Sequence, residues 1–142
     1  MAQSVIDTAK AEITAYNEKD WNAVTTVLAP GCVYDEVATH RRVEGINDIL
    51  TAWRGWATAL PDSKASFDNV SASGNTVTLE ITWRGTHTGP LQTPGGAIPP
   101  SGRKMEIRAC QVVEVADGRV NAIRHYFDMA TLLQQLGAVS AA

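Results

Sequence analysis

From residue 104 to 127 the chain alternates apolar and polar side chains with period two, broken only at Asp117-Gly118. Met105, Ile107, Ala109, Gln111, Val113 and Val115 share one face of the first half, and Glu106, Arg108, Cys110 and Glu114 share the other. In the second half Ile123, His125 and Phe127 oppose Ala122, Arg124 and Tyr126. Asp-Gly supplies the positive φ angles of a tight turn, so the segment predicts a long β-hairpin. Slipping the register by one residue would turn Met105, Ile107, Val113, Ile123 and Phe127 outward together, so Gln111 and His125 are expected to face inward.

Upstream the period changes to that of helices. Ser4 can cap a helix whose Val5, Ile6, Ala9, Ile13 and Tyr16 form one stripe, and Asp20 a second carrying Trp21, Val24, Val27 and Leu28. Pro30-Gly31 closes that pair, and a short strand is expected over 32–37. Gly45 opens a third helix with Ile46, Ile49, Leu50, Trp53, Trp56, Ala57 and Leu60 on or near one face, stopped at Pro61-Asp62. Strands are predicted over 66–72 and 76–86 around a Gly74-Asn75 turn, with Val77, Leu79, Ile81 and Trp83 on one side. A closing helix over 129–136 ends at Gly137, leaving 139–142 as a loose tail.

The stretch 85–102 holds four of the six prolines and five of the eleven glycines, which argues against regular structure. It reads either as an unconstrained excursion or as a rim over a pocket, with Leu91 and Ile98 supplying apolar contact. Helices, then a strongly curved sheet, then a short helix give an α+β fold. The expectation is a curved antiparallel sheet wrapped around the N-terminal helices as a cone, a cystatin-like roll, with 1–142 forming one domain of 142 residues.

Composition narrows the function. Twelve Lys and Arg against fifteen Asp and Glu give a formal charge of −3 with no basic stripe, so no nucleic-acid partner is implied. The start of the chain has neither a basic segment nor an apolar run of membrane length, and Cys32 and Cys110 lack CxxC spacing. A cytoplasmic protein with two free thiols and no membrane partner is the expectation. No metal-ligand spacing, phosphate loop, dinucleotide fingerprint or nucleophile elbow occurs, so neither metal nor cofactor is implied.

A buried neutral polar group without a partner costs about 1–3 kcal/mol. Gln111 and His125 therefore either find partners within the core or meet a molecule that enters it. Tyr34 and Glu36 lie two apart on a strand and share a face, so Glu36 and His125 can form a carboxylate–imidazole couple. Tyr34 and Gln111 are candidates to hydrogen-bond a developing oxyanion. Trp53, Trp56 and Trp83, with Met105, Ile107 and Phe127, read as core filling or as the walls of a site for a planar apolar substrate. Asp128 reads as the N-cap of the last helix or as a further acid/base group. His87 and His40 are expected in exposed positions.

The segments Gly85-Thr86-His87-Thr88-Gly89, Pro100-Ser101-Gly102-Arg103, Asp117-Gly118-Arg119-Val120 and His125-Tyr126-Phe127-Asp128, continuing through Leu132-Leu133-Gln134-Gln135-Leu136-Gly137, resemble the SnoaL-like branch of the nuclear transport factor two superfamily. The resemblance covers nearly the whole chain and implies the cone fold, proton-transfer chemistry in an apolar pocket, and a homodimer. Cyclases and epoxide hydrolases of that superfamily carry an acid/base carboxylate on the last strand, a position that falls here on His125. The histidine that cyclases place on the preceding strand is replaced by Gln111. Ile81 and Trp83 stand near the hydrolase Arg and second Asp, while Tyr34 matches the hydrolase tyrosine and Glu36 replaces its asparagine. The resemblance thus implies a cofactor-independent cyclase-like lyase or isomerase acting on an apolar small molecule. The alternatives are an epoxide hydrolase or dehydratase in the same pocket, and a non-catalytic binding module.

Overall fold

The computed structural model describes residues 2–138; the expected tail at 139–142 lies outside the described residues. The chain runs α1 (Ala2–Asn17), α2 (Trp21–Val27), β1 (Leu28–Glu36), a 3-10 turn (Val37–Thr39), β2 (Arg41–Glu44), α3 (Ile46–Ala59), β3 (Lys64–Ser73) and β4 (Thr76–Thr86). It continues with β5 (Leu91–Thr93), β6 (Gly96–Ile98), β7 (Lys104–Ala116), β8 (Arg119–Phe127) and α4 (Met129–Gln135). Six strands form one sheet in the order β2-β1-β8-β7-β4-β3, and β5 pairs with β6 apart from it.

The period-two pattern of β7 is realised as read: Met105, Ile107, Ala109, Gln111, Val113 and Val115 are all buried. Ala116 pairs with Arg119 across the turn, where Asp117 and Gly118 take φ of +53° and +73°. Two successive positive φ values twist the turn with the strands, a conformation that glycine and aspartate tolerate best. Register shifts between Glu114 and Val115, and between Phe67 and Asn69 on β3, bend the sheet around the helices. The sheet is antiparallel except at one seam, where β1 lies parallel to β8. A parallel neighbour requires a long crossover, and everything from β2 to β7 supplies it.

α1 and α3 cover the concave face. Ala9, Ile13 and Tyr16 of α1 and Ile49, Ala52 and Trp53 of α3 meet Val77, Leu79, Ile81, Val113 and Ile123 of the sheet in one apolar cluster. Each fully buried aliphatic side chain there stabilises the fold by about 1.5–3 kcal/mol.

Boundaries differ from the sequence reading at several places. α1 starts ahead of Ser4, which lies inside its first turn instead of capping it. β1 begins at Leu28 and takes in Pro30-Gly31, while Val37 belongs to the 3-10 turn. Proline is tolerated there because the pairing of β1 with β8 skips from Leu28 to Val33. β2 was not foreseen, since Arg41-Arg42-Val43-Glu44 shows one half-buried side chain among exposed ones.

The proline- and glycine-rich stretch is built in. β5 and β6 form a small hairpin within it, and Leu91 and Ile98 pack with Leu60, Met105, Ile107 and Leu132 in a second apolar cluster. The backbone N–H groups of Thr88 and Gly89 donate to the carbonyl of Ala59 at 3.2 and 3.1 Å. A Cβ on Gly89 would stand 1.9 Å from the Thr58 carbonyl oxygen, so only glycine permits this approach. The segment is a rim fastened to the end of α3. His87 is fully buried within it, not exposed: Nδ1 accepts from the backbone N–H of Ser101 at 3.2 Å and lies 2.9 Å from Ser101 Oγ. His40 is exposed, as read. Among the described residues no helix is long and apolar enough to cross a membrane.

Candidate active site

Strand pairing carries one rung of side chains across the sheet. Leu79 pairs with Gln111, Gln111 with His125, His125 with Glu36, and Glu36 with Arg41. Because all sit at inward positions of their strands, Gln111, His125 and Glu36 are 2%, 6% and 0% exposed. Alternation also brings Tyr34 inward, two residues before Glu36.

Hydrogen bonds order these groups. The Tyr34 Oη–H donates to Glu36 Oε2 at 2.8 Å, and Tyr34 Oη lies 2.8 Å from His125 Nδ1. Trp83 Nε1–H donates to His125 Nε2 at 3.2 Å. An indole N–H only donates, so Nε2 must be the acceptor and the imidazole proton resides on Nδ1, where it donates to Tyr34. The chain of donors therefore runs Trp83 to His125 to Tyr34 to Glu36. Burial pushes the imidazole pKa down to about 4, with the charge of Glu36 opposing, so His125 is neutral at physiological pH. Burial first, and then the nearby Glu36 charge, raises the Tyr34 phenol well above its usual range and keeps its proton in place.

Glu36 is a junction and not a free base. Its Oε1 accepts from Thr39 Oγ1 at 2.6 Å and from the Arg41 guanidinium at 3.0 Å. Its Oε2 accepts from Tyr34 and from Trp56 Nε1 at 2.9 Å. Four donors occupy the lone pairs of both oxygens.

Between the helices and the sheet lies a narrow cavity of about 60 Å³ that opens to the surface. Trp53, Trp56, Trp83, Met105, Ile107 and Phe127 all line it, together with Tyr34, Gln111 and His125. The rings meet edge to face, as at Tyr34–Trp53 (5.5 Å between centroids), Tyr16–Trp83 (5.3 Å) and His125–Phe127 (5.0 Å). The resulting walls are largely aromatic and apolar.

Two of the expected catalytic groups stand elsewhere. Glu36 faces inward but does not line the cavity; it reaches His125 only through Tyr34, because its carboxylate turns toward Arg41 and Thr39 at the sheet edge. Asp128 is exposed and caps α4, accepting from the Thr131 backbone N–H at 3.1 Å and from Thr131 Oγ1 at 2.8 Å. Those two bonds hold its carboxyl below the usual range. Tyr34 keeps its proton but directs it to Glu36 and so has none left for an oxyanion.

Glu12 was missed. It lies on the buried face of α1, three residues after Ala9 and four before Tyr16, is 1% exposed, and lines the cavity. A carboxylate on an apolar helical stripe was the signal available in the sequence. Among the described residues no cluster of three or more His, Cys, Asp or Glu could hold a metal ion.

Over residues 6–136 the sequence matches the SnoaL-like polyketide cyclase family. The chain belongs to that family. None of the curated proteins matches this SnoaL-like chain in sequence. Among solved structures, a candidate SnoaL-like polyketide cyclase of Jannaschia sp. CCS1 superposes with a TM-score of 0.86 at 18% identity, covering 98% of this chain and 95% of that one. IdmH of Streptomyces antibioticus, a candidate polyketide cyclase, has a TM-score of 0.78 at 26% identity, with coverage of 92% and 96%. An LEH-like epoxide hydrolase of M. tuberculosis has a TM-score of 0.74 at 23% identity, with coverage of 95% and 90%. The chain thus has the α+β cone of the nuclear transport factor two-like superfamily.

Proposed function

We propose that this SnoaL-like protein is a cofactor-independent acid/base enzyme that abstracts a proton beside a carbonyl of a planar apolar molecule, the step that opens a cyclase or isomerase reaction. The observation that carries the reading is the neutral, Nδ1-protonated His125 presented to an aromatic cavity and backed by Tyr34 and Glu36. Substrate entering between Trp83 and His125 takes the place of the long indole bond at Nε2. The proton moves from substrate carbon to Nε2, leaving an enolate and an imidazolium. The Trp83 N–H released by that exchange is a donor for the enolate oxygen, while the imidazolium stays bonded through Tyr34 to the Glu36 carboxylate. Returning the proton to another atom of the same molecule completes an isomerisation; attack of the enolate carbon on a second carbonyl completes a ring closure.

The likeness to IdmH, at 26% identity over most of both chains, supports the cyclase direction. Epoxide hydrolysis has less support, because Glu36, saturated by four protein donors, has no lone pair left to orient a water. The outer face of β4, β7 and β8, read from Thr78, Glu80, Thr82, Arg108 and Arg124, is the surface we assign to self-pairing as a homodimer, although Thr82 is buried there and donates to Asp68.

The test is deuterium exchange into the acetyl group of 2-acetonaphthone and into a panel of aromatic polyketides and steroid ketones, followed by mass spectrometry. The protein is expected to accelerate exchange, and His125→Ala to lose about 10²–10⁴-fold of that acceleration. Exchange by His125→Ala at the rate of the unsubstituted protein overturns the assignment. Tight binding without any exchange indicates a binding module instead.

A further inference from the structure

Two atoms of the cavity wall have no protein partner: Glu12 Oε2 on α1 and Gln111 Oε1 on β7. Tyrosine, serine, histidine and tryptophan groups of the same wall are bonded within the protein. Tyr16 Oη and Ser63 Oγ lie 2.7 Å apart and bond to each other, and Tyr34, His125 and Trp83 belong to the relay described above. Glu12 and Gln111 are also among the most deeply buried polar side chains. Burying an unpaired carboxyl is strongly unfavourable, so each atom needs a partner from outside the chain: water in the resting protein, a ligand in the complex.

The chemistry of the two groups specifies that ligand. Burial raises the Glu12 carboxyl well above its usual range, which favours the uncharged acid, a form with one O–H to donate. The Gln111 carbonyl can only accept. An oxygen acceptor is wanted opposite the first and an O–H donor opposite the second, on a body apolar and flat enough for the indole and phenyl walls.

We infer that Glu12 and Gln111 are the specificity-determining pair of this cavity and select an uncharged hydroxyketone, in which a carbonyl and a hydroxyl project from one planar apolar skeleton. The inference rests on reading the cavity as a substrate site, and not on His125 being the base. A site built to hydrogen-bond a ligand hydroxyl discriminates against the analogue lacking it, because its own polar group is then left bare.

Binding is read by quenching of the tryptophan fluorescence, since Trp53, Trp56 and Trp83 all line the cavity. The probes are 6-hydroxy-2-acetonaphthone, whose hydroxyl is too far from its carbonyl to bond to it, 2-acetonaphthone, which lacks the hydroxyl, and 6-hydroxy-2-naphthoate, which is anionic. The unsubstituted protein is expected to bind the hydroxyketone about tenfold or more tighter than either analogue, the effect of one unpaired buried polar group. Gln111→Met, similar in shape but apolar, is expected to bring the preference over 2-acetonaphthone below about threefold, on the same reasoning. Glu12→Leu is expected to weaken both ketones, whereas Glu12→Gln, which retains an N–H donor, restores them.

No preference in the unsubstituted protein, no binding of the hydroxyketone, or an undiminished preference in Gln111→Met each overturns the inference. Should Glu12→Leu fold poorly, Gln111→Met and Glu12→Gln still decide it. Because the readout is binding, its failure leaves the exchange result for His125 standing, and loss of exchange with intact discrimination strikes only the catalytic reading.

Discussion

Tyr34 Oη stands 2.8 Å from His125 Nδ1 and 2.8 Å from Glu36 Oε2, so one phenol joins an imidazole in the cavity to a carboxylate outside it. Residues 91 positions apart in the chain are held in contact by the parallel seam between β1 and β8, which pairs Tyr34 with Ile123 and Glu36 with His125. The phenol stands between the imidazole, which burial keeps neutral, and the Glu36 carboxylate, which ion-pairs with Arg41.

Tyr34→Phe removes this link without removing the ring. The Nδ1–H of His125 then loses its acceptor and Glu36 loses one of its donors, which is expected to destabilise the fold by about 1–3 kcal/mol. Exchange catalysis is expected to fall by at least about tenfold, because the imidazolium is no longer connected to its counter-charge. Urea unfolding and the exchange rate measured on the same variant test both expectations.

Acid should weaken the protein through His125. Its pKa is about 4 when folded and near 6.5 when unfolded. As pH falls through 6.5 the unfolded chain takes up a proton that the folded chain refuses, and the loss grows until about pH 4, where both forms are protonated. The shift corresponds to about 3 kcal/mol at full development. Urea titrations of the unsubstituted protein and of His125→Gln between pH 4 and 7 should diverge over this window; parallel curves would show that the imidazole is not held neutral.

Glu12 acts in the opposite direction. Its folded pKa lies above the usual 4.5, so below that value both states carry the proton and no penalty exists. As pH rises past 4.5 the unfolded chain ionises first and stability is lost until the folded carboxyl follows. Glu12→Gln, which cannot ionise, is expected to match the unsubstituted protein near pH 4 and to exceed it in thermal stability at pH 7.

Asp128 is separable from the chemistry. As an N-cap its replacement by Ala is expected to lower the midpoint of thermal unfolding, and by Asn to lower it much less. Exchange catalysis should be unchanged in both variants. A large loss of activity in a folded Asp128→Ala protein would return this carboxylate to the site.

The rim depends on one missing side chain. In Gly89→Ala the new methyl group collides with the Thr58 carbonyl, so the segment must lift from the end of α3 and its bonds to Ala59 must lengthen. A destabilisation of about 1–3 kcal/mol is expected, as for other overpacked contacts. Faster amide exchange confined to the 88–103 region would show the rim loosening.

The amino-acid sequence by itself determined the local elements and which face of each is apolar. Period two along β7 and β8 placed Gln111 and His125 inside, the Asp117-Gly118 turn set their hairpin, and the third helix with Trp53 and Trp56 was legible from its stripe, because propensity and burial act over a few residues. The motif order also carried the cone fold. Only the tertiary structure decided what those inward groups meet. The parallel pairing of β1 with β8 fixes Tyr34 between His125 and Glu36, and that pairing spans a separation along the chain at which local pattern carries no information. The edge strand β2 brings Arg41 to Glu36 and so turns an expected base into a saturated junction. Packing of α1 across the concave face makes Glu12 a cavity residue: its place on the apolar stripe of this sixteen-residue helix marks it as inward, but the angle of the helix against the sheet sets what it meets.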